Sequence, residues 1–94
     1  MKVSAFARKV YRTVCSIPLG EVRTYQWVAR KAGNPRAVRA VGQLMKRNPF
    51  PVLIPCHRVV GSNGRPGGYV FGIEKKKRLL AYEQEIKQCL ARRK

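Results

Sequence analysis

A cysteine stands directly before the only histidine of the chain, at Cys56-His57. A thiolate is a strong nucleophile, and a nearby imidazole lowers its pKa or takes its proton. The same two residues also read as a buried structural cysteine beside a surface histidine. Adjacent side chains rarely face one another in regular structure, so a working pair needs a turn or a bridging water. Glu83 is the second candidate. Leu79, Glu83, Ile86 and Leu90 follow helical spacing, which puts a carboxylate on an apolar stripe, where it needs a partner. His57 as partner gives a nucleophile, a base and an orienter; a salt bridge to one of many Lys or Arg residues satisfies Glu83 equally well. Arg39 is the third, as a contact to DNA bases or phosphates or as part of a solvated basic face. Tyr25 reads as a core aromatic or a phosphate contact. Tyr11 and Trp27 read as packing residues. Cys15 and Cys89 lie on helical segments with apolar neighbours and are expected to be inert, core or half-buried thiols.

The elements that must hold these residues are short. Val3, Phe6, Ala7, Val10 and Val14 predict an amphipathic helix that Pro18-Leu19-Gly20 ends. Glu21-Val22-Arg23 is a link. Thr24 caps a second helix over Tyr25 to Lys31, closed by Gly33. Asn34-Pro35 then begins a third helix, Asn as cap and Pro in the first turn, running to about Arg47. Its apolar stripe is Ala37, Val38, Val41, Leu44 and Met45, and its basic residues are Arg36, Arg39, Lys46 and Arg47. Two short helices joined by Gly-Asn-Pro predict a helix-turn-helix over about 24–47. The three prolines of the stretch Asn48 to Pro55 predict an extended, buried segment that turns at Cys56-His57; 52–60 is the candidate active segment. Val59-Val60 reads as a turn or strand. The glycine-rich stretch 61–72 around Arg65 is where a winged helix puts its wing. The last helix covers about 74–91, with Leu79, Leu80, Ile86 and Leu90 facing inward, and the tail after it is expected to fray. The expected fold is a single domain over 1–94, mainly α with a small β wing.

Charge narrows the function. The chain has 94 residues, 21 Lys and Arg against four acids, and a net charge of +17. Such an imbalance favours a polyanionic partner and argues against small-molecule metabolism. With 45% hydrophobic residues it has material for a core and is not a disordered basic tail. Three distant cysteines with no Cys-x-x-Cys pair argue against a disulfide framework and a structural zinc site, so no metal is expected. The first twelve residues are broken by Lys2, Arg8, Lys9 and Arg12 and form no signal-peptide core. The longest uncharged run, Pro49 to Cys56, is too short to span a membrane. An intracellular protein is expected, cytoplasmic on the nucleoid or nuclear, monomeric and without a cofactor.

At Ile54-Pro55-Cys56-His57-Arg58-Val59-Val60 the chain resembles the O6-alkylguanine-DNA alkyltransferases, also called methylated-DNA–protein-cysteine methyltransferases. The resemblance runs over about residues 5 to 85. It includes Gly20-Glu21-Val22, Tyr25-Gln26, Gly33-Asn34-Pro35, Arg39-Ala40-Val41-Gly42, Met45 and Asn48-Pro49. It continues through Gly68-Tyr69, Gly72, Lys77, Leu79-Leu80 and Glu83. It implies the DNA-binding and active-site domain of that family, acting on double-stranded DNA that contains O6-alkylguanine. A flipped base enters a pocket, and Cys56 takes its alkyl group once and irreversibly. The resemblance makes His57 the base, working through a water, and Glu83 its orienter. It has Asn48 brace the turn and Tyr25 donate to the leaving guanine or touch the adjacent phosphate. Arg39 would fill the gap in the duplex; Arg36 and Lys46 of the third helical segment and Arg65 of the glycine-rich stretch are further candidate DNA contacts. Met45, Val59, Tyr69, Val70 and Phe71 would form the pocket, the backbone of Cys56, Val59 and Val70 reading the guanine edge. Base extrusion is what chemistry on a stacked base requires. The helix would enter the minor groove, where sequence readout is degenerate.

Members of the family usually carry an additional N-terminal domain, whereas this chain begins almost at the active domain. Val70-Phe71 also stands where many members have smaller residues. A related group of alkyltransferase-like proteins is likewise short. It binds alkylated DNA without transfer and typically has Trp at the nucleophile position, where this chain has Cys56. A plain architectural DNA-binding domain is the remaining alternative, and it leaves Cys56, His57 and Glu83 without a purpose.

Overall fold

In a computed structural model, residues 4–48, 53–62, 67, 69 and 71–92 are described. Helix α1 spans Ala5–Cys15 and starts on Ser4, whose hydroxyl accepts the Ala7 N–H at 3.0 Å. Its buried face is Ala7, Val10 and Val14, while Cys15 is exposed. Val3 of the expected stripe lies outside the described residues.

The expected link contributes a strand. β1, Arg23–Thr24, pairs in parallel with β2, Val59–Val60, with Arg23 opposite Val59 and Thr24 opposite Val60. The β structure described thus lies beside the active segment and not in the glycine-rich stretch, of which 63–66, 68 and 70 are outside the described residues. Helix α2, Tyr25–Lys31, begins on Thr24, whose hydroxyl accepts the Trp27 N–H at 3.0 Å. It ends at Gly33, where a φ of 94° lets the chain reverse.

Helix α3, Val38–Lys46, starts later than Asn34-Pro35 predicts, and Arg36 stands before it. The Asn34 side chain takes the Arg36 N–H at 3.3 Å and the Asn34 carbonyl takes the Ala37 N–H at 3.0 Å. Asn34 therefore closes a local turn instead of capping the helix, a competition inherent in Asn. A single 3₁₀ turn, Cys56–Arg58, leads into β2, and α4 runs from Ile73 to Arg92. Of the expected extended segment, 49–52 lie outside the described residues.

The core lies where α1, α2 and α3 meet. Val10, Val14, Val28 and Val41 are fully buried there, with Ile17 and Met45 almost so and Cys56 and Val59 closing one side. Helix α4 touches this core mainly through its first half, against the 3₁₀ turn. Its far half stands clear, so Ile86 and Leu90 are 45% and 54% exposed and do not face inward as predicted. Gln84 still reaches back to the Gly20 carbonyl at 2.6 Å. The projecting helix makes the molecule elongated, 40 × 30 × 27 Å, because 20 residues of helix are about 30 Å long.

Candidate active site

Pro55 shapes the active segment. Its φ of −79° and ψ of 60°, with the Cys56 N–H donating to the Ile54 carbonyl at 2.7 Å, make an inverse γ-turn. Arg58 N–H then donates to the Pro55 carbonyl at 2.9 Å, which closes the 3₁₀ turn. Asn48 lies across this bend. Its Nδ2 donates to the Ile54 carbonyl at 2.8 Å and sits 3.1 Å from Cys56 Sγ. Cys56 is fully buried. Burial pushes its thiol above the usual value of 9.0; the Asn48 hydrogen bond and the positive charge of Lys76 oppose the rise without cancelling it.

The turn sends the next two side chains toward α4. His57, 1% exposed, places Nε2 2.8 Å from Glu83 Oε2. Arg58 grips the same carboxylate with both arms, Nε to Oε1 and Nη2 to Oε2, each at 2.8 Å, and its Nη1 donates to the Ile17 carbonyl at 2.8 Å. Burial alone would raise the Glu83 pKa. The hydrogen bonds and charges of Arg58 and His57 outweigh it and hold the carboxyl below its usual 4.5. The two partners weighed for Glu83 are thus both present. With Nε2–H given to Glu83, the Nδ1 lone pair of His57 is the basic atom. That atom and the Tyr69 hydroxyl are buried and have no hydrogen-bond partner among the described residues.

An open cleft of about 460 Å³ runs along α3 and is lined by Arg39, Gly42, Gln43 and Lys46 of that helix with Tyr25, at the start of α2, and Gly67. Gly67 has φ 73°, and a Cβ there would overlap the Tyr25 hydroxyl and stand 2.8 Å from its Cε2. Gly67 therefore rests directly on Tyr25. Arg36 is exposed on the turn before α3, and Arg65 and Val70 lie outside the described residues. Met45, Val59 and Tyr69 are buried against Cys56 in the core cluster. Phe71 is 54% exposed, with its ring 5.9 Å from and edge-on to that of Tyr69. With Tyr69, Lys75, Arg78, Leu79 and Tyr82 it lines a second, apolar cleft of about 250 Å³.

Cys15 and Cys89 are both exposed, contrary to expectation. Cys15 is the last residue of α1, past its buried stripe, and Cys89 is on the half of α4 that stands clear of the core. One member of the site carried no signal in sequence. Lys76, within the run Lys75-Lys76-Lys77-Arg78, is fully buried, and its Nζ donates to the Val59 carbonyl at 2.6 Å. The described residues contain no group of three or more His, Cys, Asp or Glu side chains able to hold a metal ion.

Fold and site together define a helix-turn-helix domain that carries a buried thiol with an imidazole–carboxylate pair on its flank. A family model described as the DNA-binding domain of 6-O-methylguanine DNA methyltransferase matches residues 5–85, and the chain belongs to that family. It is 48% identical over 88 residues to a probable methylated-DNA–protein-cysteine methyltransferase of Acanthamoeba polyphaga mimivirus, covering 94% of this chain and 58% of that protein. The Mycobacterium tuberculosis OGT crystallised in complex with DNA superimposes with a TM-score of 0.86 at 39% identity, over 89% of this chain and 52% of that one. Schizosaccharomyces pombe Atl1, in complex with damaged DNA containing O6-carboxymethylguanine, gives 0.77 at 38% identity over 88% of this chain and 79% of that one. The chain spans about half the length of the curated methyltransferases it matches.

Proposed function

We propose that this chain binds double-stranded DNA containing O6-alkylguanine and transfers the alkyl group, methyl above all, irreversibly to its own Cys56. The observation that carries this reading is the arrangement around the 3₁₀ turn. A buried thiol is braced by Asn48, while the neighbouring imidazole is held by Glu83 and leaves Nδ1 free to accept. The thiol proton passes to His57 Nδ1, through one water. The sulfur then forms a bond to the alkyl carbon as the carbon–O6 bond breaks, and the electron pair departs with guanine. Glu83 balances the imidazolium, as a carboxylate does for a base in other nucleophile–base–acid rows. Tyr25, which lines the cleft along α3, donates to the departing guanine or touches the adjacent phosphate. Arg39 and Lys46 flank the same cleft, Arg39 plugging the duplex while the base is out. Arg36 and Arg65 add backbone contacts, and the Gly67–Phe71 stretch walls the pocket together with Met45 and Val59. The active-site and DNA-binding functions thus share one domain, and its place of action is wherever the cell's DNA lies.

The test is intact mass after incubation with duplex containing O6-methylguanine. One added methyl on Cys56 is expected in the wild type, and none in Cys56→Ser, which keeps its DNA affinity. A methyl on Cys15 or Cys89 instead would remove Cys56 from the role. The likeness to Atl1 favours one second reading, recognition of alkylated guanine without transfer; tight binding with an unchanged mass would establish it.

A further inference from the structure

Lys76 is the largest side chain completely removed from solvent. An ammonium in such a place is costly unless something compensates it. Burial pulls its pKa from 10.5 to about 8, and the nearby Cys56 sulfur pulls it back up. Among the described residues, Val59, Tyr25 and Cys56 converge on it. The Val59 carbonyl accepts its Nζ at 2.6 Å, the Tyr25 ring lies 5.7 Å from Nζ, and Cys56 is close enough to feel its charge.

Among the described residues, the other groups facing Cys56 supply no cation free of a partner. Tyr11 from α1 and Tyr69 are raised above their usual 10.0, first by burial and then by the sulfur itself. Asn48 is neutral, and the Glu83 carboxylate is bound to Arg58 and His57. Among the described residues, Lys76 is the cation whose field acts on the thiol.

We propose that Lys76 is a positioning residue of the transfer site, its buried ammonium fixing the Val59 carbonyl against the Tyr25 ring and serving as counter-charge to the ionised Cys56 sulfur. That role rests on the reading of Cys56 as the alkyl acceptor. The proton balance is unchanged: the thiol proton goes to His57, and Lys76 keeps its own. The carbonyl that the resemblance assigns to reading the guanine edge is the one Lys76 holds. One side chain thereby couples the placement of the base to the ionisation of the nucleophile.

Two readouts separate this from the transfer reading. In a background with Cys15→Ser and Cys89→Ser, the rate of Cys56 alkylation by iodoacetamide is followed across about pH 6–10, which spans the reference thiol range, without DNA. Single-turnover methyl transfer from O6-methylguanine duplex is measured beside it. Lys76→Met, which keeps the length and loses the charge, should move the iodoacetamide midpoint to higher pH. At neutral pH both reactions should then slow, about tenfold for every pH unit by which the midpoint rises, with DNA affinity and Tm nearly unchanged. Lys76→Arg should restore most of the midpoint. An unmoved midpoint in a folded Lys76→Met overturns the proposal. If that variant does not fold, the wild type decides: the Lys76 Nζ resonance should titrate lower once Cys56 is S-methylated with iodomethane, and an unchanged titration overturns the proposal. A wild type that never accepts methyl from DNA, yet shows the Lys76-dependent iodoacetamide midpoint, sinks the transfer reading while supporting the role of Lys76.

Discussion

At the scale of single residues, Glu83 holds the most. It accepts from His57 and from both arms of Arg58, so removing its charge disturbs both partners at once. Glu83→Gln should slow alkyl transfer by about 10²-fold, the lower end of what placed proton transfer contributes, while DNA binding changes little. Because the folded-state pKa of Glu83 is depressed, its contribution to stability is present above the usual carboxylate pKa and is lost as pH falls through the folded value. Wild type and Glu83→Gln should therefore differ in urea midpoint at pH 7 and converge toward pH 3; parallel curves over that range would show that the pair is not coupled to folding. Phe71 carries a second prediction. Its ring stands edge-on to Tyr69 and half in solvent; under the proposed function it would narrow the approach to the base. Overpacking costs about 1–3 kcal/mol, which is about tenfold to hundredfold in rate. Methyl should be preferred over benzyl adducts, and Phe71→Gly should relax that ratio with little change in Tm. A fall in Tm with an unchanged ratio would make Phe71 a packing residue.

At the scale of elements, α4 has two halves with different jobs. The part up to Glu83 delivers Lys76 and Glu83 to the site, and the part beyond it carries Ile86 and Leu90 in the open. Ile86→Ser should accordingly shift stability by no more than about 0.5 kcal/mol. Met45→Ala, in the packed seam of α3, should cost about 2–5 kcal/mol. Comparable losses in chemical denaturation would mean that the far half of α4 is covered in solution. The same helix shows what the sequence could tell. Glu83 on an apolar stripe signalled a partnered carboxylate, and the pattern of α1 and the Thr24 cap of α2 located those helices. The stripe could not say how far the core extends beneath it, so Ile86 and Leu90 read as inward. Asn34 offered two uses of one side chain, and the local turn won over the cap. Lys76 was invisible because a lysine inside a basic run reads as solvated, and its burial against the Val59 carbonyl and the Tyr25 ring appears only in the fold.

At the scale of the whole molecule, the charge of +17 is scarcely neutralised from within. Of the four acids, Glu21 pairs with Arg23 and Glu83 is taken by Arg58 and His57. If the cleft face neutralises ~4–8 phosphates, log affinity should fall against log salt with a slope of about −4 to −7. Sequence preference should be small. Arg39→Ala should reduce reaction with duplex more than reaction with free O6-methylguanine, because the free base leaves no gap to plug. Equal losses on the two substrates would make Arg39 a structural residue.

The parallel pairing of β1 with β2 has a further consequence, which concerns synthesis. Parallel strands cannot close through a tight hairpin, so this pair joins only across everything between its strands. The 3₁₀ turn that precedes β2 is completed from the other side by Glu83, later still in the chain. A nascent polypeptide, or a fragment cut before α4, therefore carries Cys56 and His57 without the carboxylate that holds the imidazole. The order in which the ribosome delivers the residues puts the carboxylate after the cysteine and the histidine whose turn it completes.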